Sequence, residues 1–195
     1  MLGFNDQYII GVDLAGKSKN PTVLALLQGR SVQASLIYTD TELLDARERN
    51  KPELIARDSP LNLPKKGFFR NAHRETLKKR YRVFPPKFAF MKESTLRAVK
   101  LNRLIEEKKY RAREVHPKSF RKARQMPLKD GKASQETLKV LGLKGDLETR
   151  RLVTHGIDAV TAALTAKLHL NHQTEAVGNE EEGYIIVPKK ETGEP

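Results

Sequence analysis

A chain of 195 residues is long enough for one domain with a sizeable core, and with 38% hydrophobic and 31% charged residues it is neither a membrane bundle nor a disordered tail. The absence of cysteine excludes disulfides, thiolate metal sites, Fe–S clusters and Cys-nucleophile chemistry. Lys and Arg number 37 against 24 Asp and Glu, and the net charge of +13 points to an anionic partner.

Tyr8 to Asp13 is a short apolar run ending on an acid, the pattern of a buried strand. Gly16 to Pro21 is turn-rich, Thr22 to Leu27 is apolar again, and Ser31 to Tyr38 alternates with Val32, Ala34, Leu36 and Tyr38 on one face. Short turns between them predict an antiparallel meander. A helix is expected from Thr41 to Asn50 and a fourth strand from Glu53 to Asp58, before Pro60 and Pro64 break regular structure. Helical pattern resumes from Asn71 to Arg80, Pro85 and Pro86 impose a loop, and Met91 to Lys109 carries an apolar stripe through Ala98, Leu101 and Ile105. Arg111 to His116 is a strand stopped by Pro117, and Ser134 to Leu141 is helical. A long helix starts at Asp146 or Thr149 and runs to Leu170, with Val153, Ile157, Val160, Leu164 and Leu168 at helical spacing. Gly183 to Val187 is a last strand and Lys189 to Pro195 a tail. A mixed α/β sheet flanked by helices follows. Met1 to Tyr8 lacks a signal-peptide pattern and no apolar stretch reaches about 18 residues, so a soluble, cytoplasmic protein is expected.

The charge is unevenly placed. Residues 65–125 hold 21 Lys and Arg against 5 Glu, a local net of +16, so the rest of the chain stands at −3. Phe68, Phe69, Tyr81, Phe84, Phe88, Phe90, Tyr110 and Phe120 are interleaved with these cations. A solvated helical face over buried aromatics has the same composition. The asymmetry favours a polyanion instead, DNA or RNA, with phosphates to neutralise and bases to stack. Lys65, Lys66, Arg70, Arg74, Lys78, Lys79 and Arg80 are the expected nucleic-acid-binding residues.

Four acids stand out against this basic background. Asp13 and Asp58 end strands, Glu114 lies within one, and Asp158 sits on the long helix in a polar stripe with Thr154, Thr161 and Thr165. Singly, each is explained by a cap or a solvated helix face. If their strands are neighbours, they meet at one sheet edge, where like charges repel unless cations stand between them. Without thiolates and with few histidines, hard divalent ions with oxygen ligands are the natural choice. Gly11, Ala15 and Gly16 beside Asp13 would let a ligand approach the backbone.

Gly11-Val12-Asp13-Leu14-Ala15-Gly16 with Lys19-Asn20-Pro21-Thr22 resembles the opening motif of the family catalogued as domain of unknown function 429. So do Ile55 to Leu61 with Leu63-Pro64, Glu114-Val115-His116-Pro117, His155 to Ala163, and Glu182 to Pro188, in order over residues 8–188. The resemblance implies an RNase H-like fold with a five-stranded mixed sheet. It also implies a nuclease using two Mg²⁺ or Mn²⁺ ions at Asp13, Asp58, Glu114 and Asp158, with Asp13 bridging both ions. The sequence departs from that pattern at Val23, where Gly is common, at Arg57, where Ala is frequent, and near Gly156, where an acid is frequent. Arg57 would either compete with a metal or serve the substrate phosphate.

The loop from Asp13 to Lys17 also resembles the phosphate loop of actin-like ATPases, but 195 residues are too few for their two lobes, and Asp130-Gly131-Lys132 reads as a turn. His73 and His116 are candidate bases or ligands, with structural or phosphate-contacting roles more common, and Glu180 to Glu182 reads as a solvated loop. The reading is a single RNase H-like domain over residues 1–188, with a basic helical insertion at about 65–110 and a tail at 189–195. It hydrolyses phosphodiester bonds with two metal ions. The alternative is a non-catalytic nucleic-acid-binding protein with a degenerate site.

Overall fold

The computed structural model describes residues 6–16 and 20–189. Strands β1 (Tyr8–Asp13), β2 (Thr22–Gln28) and β3 (Ser31–Ile37) form the expected antiparallel meander. Helix α1 (Asp40–Asn50) starts at Thr39, whose side chain caps Glu42 N–H while the Glu42 carboxylate reaches back to Thr39 N–H. Strand β4 (Leu54–Arg57) pairs parallel to β1, and β5 (Ala112–Val115) parallel to β4. Between them lie α2 (Asn71–Lys78) and the long α3 (Ala89–Glu107). Helices α4 (Pro117–Ala123) and α5 (Gly131–Val140) follow, then the two-residue β6 (Lys144–Gly145), α6 (Asp146–Thr149) and α7 (Thr154–Leu170). The hairpin of β7 (Thr174–Asn179) and β8 (Gly183–Pro188) completes a sheet in the order β6-β3-β2-β1-β4-β5-β8-β7, mixed as expected but with eight strands rather than five.

Two layers of helix cover the sheet. On one face Ile9, Ala25, Leu54, Ala56 and Val115 pack with Ile157, Val160 and Leu164 of α7. On the other, Ile10, Val12, Leu24 and Ile55 pack with Leu43 of α1 and Ala98, Leu101 and Ile105 of α3. Alternation along the strands therefore sends Ile9, Gly11 and Asp13 toward α7, and Ile10 and Val12 toward α3. Helix α7 is buried continuously from Gly156 to Leu168, and Thr161 and Thr165 satisfy their hydroxyls on carbonyls one turn back. Its expected apolar stripe is real, and of the polar stripe beside it Asp158, Thr161 and Thr165 are buried while Thr154 is exposed.

Gly11 carries no ligand. A Cβ there would lie 2.0 Å from Ala159 O and 2.5 Å from Ala163 N, so this glycine lets α7 lie directly on β1. Gly16, by contrast, lies near Ser94 of α3 and lines a surface cleft. Val153 is exposed ahead of α7, and Leu36 and Tyr38 lie past the covered part of the β3 face and are exposed. Pro117 does stop β5, but it also occupies the first turn of α4, where its missing N–H costs nothing. Asp130 caps α5 through Ala133 N–H. Among the described residues no helix is long and apolar enough to cross a membrane.

Candidate active site and nucleic-acid interface

Parallel, in-register pairing of β1 with β4 sets Val12 beside Arg57, and Asp58 N–H bonds Val12 O, so Asp13 and Asp58 leave the sheet side by side on the α7 face. The first turns of α7 stand opposite. His155 Nδ1 lies 2.8 Å from Asp13 Oδ2, and Asp158 follows three residues later on the same helix face. Asp13, Asp58, Glu114, His155 and Asp158 line one cleft of about 410 Å³, together with His73, His116, Arg82 and Lys118.

The electrostatics record this convergence. Burial, then the charges of Asp13 and Asp158, push the Asp58 carboxyl well above the usual carboxylate range, against the pull of Lys118. Among the described residues no hydrogen bond or ion pair ends on that carboxylate. Asp158 is also raised by burial, although its Oδ1 is 2.6 Å from Arg121 Nη2 in a nearly sealed ion pair. The bond to Asp13 pulls His155 upward.

Glu114 reaches the cleft from the other side of the sheet. It sits opposite Arg57 on the α3 face, with Oε1 held by Arg70 and Oε2 taking the Leu61 N–H at 2.9 Å. Burial raises it and Arg70 lowers it. Asp13, Asp58 and Asp158 are thus gathered on one face, while Glu114 is set apart with both oxygens already engaged.

Arg57 performs neither role expected of it. Strand alternation turns it away from Asp58 and under α3, where Nη1 donates to Ala98 O and Nη2 to Asn102 Oδ1 at 2.8 Å. Burial lowers its pKa to about 10. Arg70, expected to hold substrate, is fully buried between Glu114 and Glu182 O. Glu182 is no solvated loop residue: its carboxylate accepts the Lys65 and Asn71 N–H groups and ties the β7–β8 turn to the start of α2. Lys65 pairs with Glu181 and Lys79 with Glu175, while Lys66, Arg74, Lys78 and Arg80 are exposed. Arg82 and Lys118 reach the cleft itself, and Lys122 donates to Arg80 O beside them.

Sequence reasoning missed His155 as a partner of Asp13, although it lies at i−3 from Asp158 on one helix. It also missed Arg121, four residues after Pro117 in a helix not foreseen. His73 and His116 are buried and neutral, lowered by burial to about 3 and about 4.

The donor set is hard and oxygen-rich, which suits Mg²⁺ or Mn²⁺, and an unpaired carboxylate held up by two others is the environment a cation relieves. In donor chemistry the three carboxylates suit such ions. Among the described residues, however, no three His, Asp or Glu side chains stand close enough to hold one ion together, and Asp158 and Asp13 are already bonded to Arg121 and His155.

No family model matches the chain, so the family resemblance of its motifs has no such support, and no curated protein matches it. Solved structures do. The chain is similar to Thermus thermophilus RuvC in complex with Holliday junction substrate, at 17% identity and a TM-score of 0.50, covering 85% of this chain and 96% of that one. A second structure, of Thermus thermophilus RuvC, is 16% identical with a TM-score of 0.51 over 85% and 97%. At such identity the likeness shows the fold, and that fold is RNase H-like.

Proposed function

We propose that this protein is a metal-dependent nuclease that hydrolyses phosphodiester bonds. The observation that carries the reading is the meeting of Asp13 and Asp58, at adjacent strand ends, with Asp158 on the facing helix of an RNase H-like fold. These three carboxylates would hold two Mg²⁺ or Mn²⁺ ions. Such ions supply activation of the attacking water and charge neutralisation at the leaving oxygen. The protein's own residues do the rest. His155 orients Asp13 through its Nδ1 contact, and Arg121 fixes one oxygen of Asp158. Glu114 acts as a positioning residue, holding Arg70 and the Leu61 backbone behind the site. Arg82 and Lys118 bind the phosphate backbone at the mouth. A cytoplasmic location belongs to the same reading.

One observation favours a second reading. Asp158 and Glu114 already have arginine partners, as in a site that has lost its ions and only binds nucleic acid. Labelled single-stranded, duplex and four-way-junction DNA, and the RNA equivalents, separate the two when incubated with Mn²⁺ or chelator. The nuclease cleaves at least one of them with Mn²⁺ only, and Asp13→Asn abolishes cleavage while leaving binding in chelator within about twofold, because affinity comes from the cations. Binding without cleavage of any substrate establishes the second reading.

A further inference from the structure

We propose that Phe84, Phe88 and Phe68 form a stacking rim at the cleft that takes unpaired bases, so that the substrate is a nucleic acid with bases free of a duplex near the scissile phosphate. The inference rests on the nucleic-acid reading above and names the substrate class of that same site.

The fold sorts the aromatics of the basic segment into two groups. Phe120 and Tyr81 are buried, Tyr110 packs against the core with the Arg47 guanidinium over its ring, and Phe69 tilts against His73. Phe68, Phe84 and Phe88 are 58%, 56% and 41% exposed. A single exposed ring is ordinary on a protein surface, but these three are joined. Phe88 N–H donates to Pro85 O at 3.1 Å, closing a turn that Phe84 immediately precedes. The Phe68 ring meets the Phe88 ring edge to face at 6.0 Å. Phe84 lines the cleft that holds Asp13 and Asp58, and so does Met91, whose N–H donates to Phe88 O. The rim is thus continuous with the site.

The turn is anchored with its rings outward. Pro85 and Pro86 are buried, and Pro86 O accepts from the hydroxyl of Thr95, a fully buried residue of α3, at 3.1 Å. Proline fixes its own φ, so the two residues pinned under α3 are also the stiff ones. The smaller apolar side chains of this turn go inside and the larger ones stay in water, the reverse of what burial alone selects.

Charge selects the occupant. Residues 65–88 hold nine Lys and Arg against one Glu, and Lys66, Arg74, Lys78, Arg80 and Arg82 are exposed. A second copy of this chain brings the same cations and is repelled, whereas a polyanion is drawn in. A nucleic acid is the polyanion that also offers flat apolar faces to a phenyl ring. In a duplex those faces are covered by neighbouring pairs and only base edges show in the grooves. The rings therefore stack on a base only where pairing is absent, in a single strand, a gap or a branch. Phenylalanine has no hydrogen-bonding group, so the rim reads the absence of pairing and not the identity of the base.

Fluorescence anisotropy of labelled strands with the full chain in chelator tests this. A short oligothymidylate is compared with an abasic strand of the same length, which carries the same phosphates and no bases. The comparison is repeated inside a duplex, with an internal loop of unpaired thymidines against a loop of abasic sites. In both pairs the base-bearing strand is expected to bind about tenfold tighter, since each base stacked on a ring is worth roughly that factor. The advantage falls below about twofold in Phe68→Ala/Phe84→Ala and is kept in Phe68→Tyr/Phe84→Tyr, whose rings still stack. Both positions are exposed, so these variants are expected to fold, and the wild-type comparisons decide even where one does not. Equal binding of base-bearing and abasic strands, or an advantage unchanged in the folded alanine variant, overturns the rim while the nuclease reading stands. A wild-type dimer in sedimentation that the alanine variant dissociates makes the rim an interface between copies and likewise overturns it. No binding of these strands, nor of any duplex, overturns the nucleic-acid reading with it.

Discussion

Asp58 is the residue with most at stake in the fold. Its carboxylate is half-buried beside two others and, among the described residues, has no ion pair, in contrast to Asp158 with Arg121 and Glu114 with Arg70. Because its native pKa lies above the unfolded value, the native state binds the extra proton. The group's contribution to stability is therefore fully present below the unfolded pKa, near 4, and is lost as pH rises through the native pKa. At neutral pH the ionised form is a net cost. Asp58→Asn is expected to raise the melting temperature in chelator by a few degrees at pH 7, and the gain should shrink as pH falls toward 4. Millimolar Mn²⁺ should stabilise the wild type and not the variant. A melting temperature unchanged by the substitution at pH 7 would show that the three acids do not crowd one another in solution.

At the level of elements, the contact of α7 with β1 at Gly11 sets the distance between the two halves of the cleft. Gly11→Ala places a methyl group into the backbone of α7 at Ala159 and Ala163, so the helix must shift outward or the protein must lose stability. Overpacking of this kind costs about 1–3 kcal/mol. Urea unfolding should show that loss, and cleavage should fall with it because Asp158 and His155 ride on α7. The same contact explains what could be read from the chain. Strands β1, β2 and β4 were legible as short continuous apolar runs, covered on both faces, and β3 and α3 by an apolar face at their own period. So were the positions of Asp13 and Asp58, as acids that end apolar strands, and of Asp158, as an acid in the polar stripe of a long helix. Three pieces were not legible. Strand β7 is Thr-Glu-Ala-Val-Gly-Asn, polar at an edge and recognisable only from the pairing it makes with β8. Strand β6 has two residues, too few for any pattern. The partners Arg70 and Arg121 look like their basic neighbours in sequence, and only tertiary packing decides which arginine goes inside.

Over the whole molecule, the +16 of residues 65–125 is partly spent internally. Arg97 pairs with Asp40, Lys108 with Glu48, Arg111 with Glu53, Arg121 with Asp158, Lys65 with Glu181 and Lys79 with Glu175, all acids from outside the segment. Cations near the cleft mouth, Arg80, Arg82, Lys118 and Lys122, remain at hand for a strand. Four phosphate contacts correspond to a log–log salt slope of about −3.6 on duplex DNA. Arg82→Gln should weaken that slope by about 0.9, whereas Arg70→Met, which breaks a buried pair, should lower stability and leave the slope of the folded fraction alone. Equal effects of both substitutions on the slope would mean that backbone contacts do not centre on the cleft.

The separation of the cleft's halves along the chain has a consequence for the protein's synthesis. Asp13 and Asp58 lie in the first third of the chain, while His155 and Asp158 lie in the last third. A ribosome therefore releases the first four strands with the apolar face of Ile9, Ala25, Leu54 and Ala56 still waiting for α7. Parallel pairing across such sequence distance is slow, and exposed sheet faces are prone to association in the interval. A chain without α7 thus holds Asp13 and Asp58 but neither Asp158 nor the helix that faces them. The cleft therefore cannot form near the ribosome until α7 closes over β1, so the order of translation itself delays the site until the fold is complete.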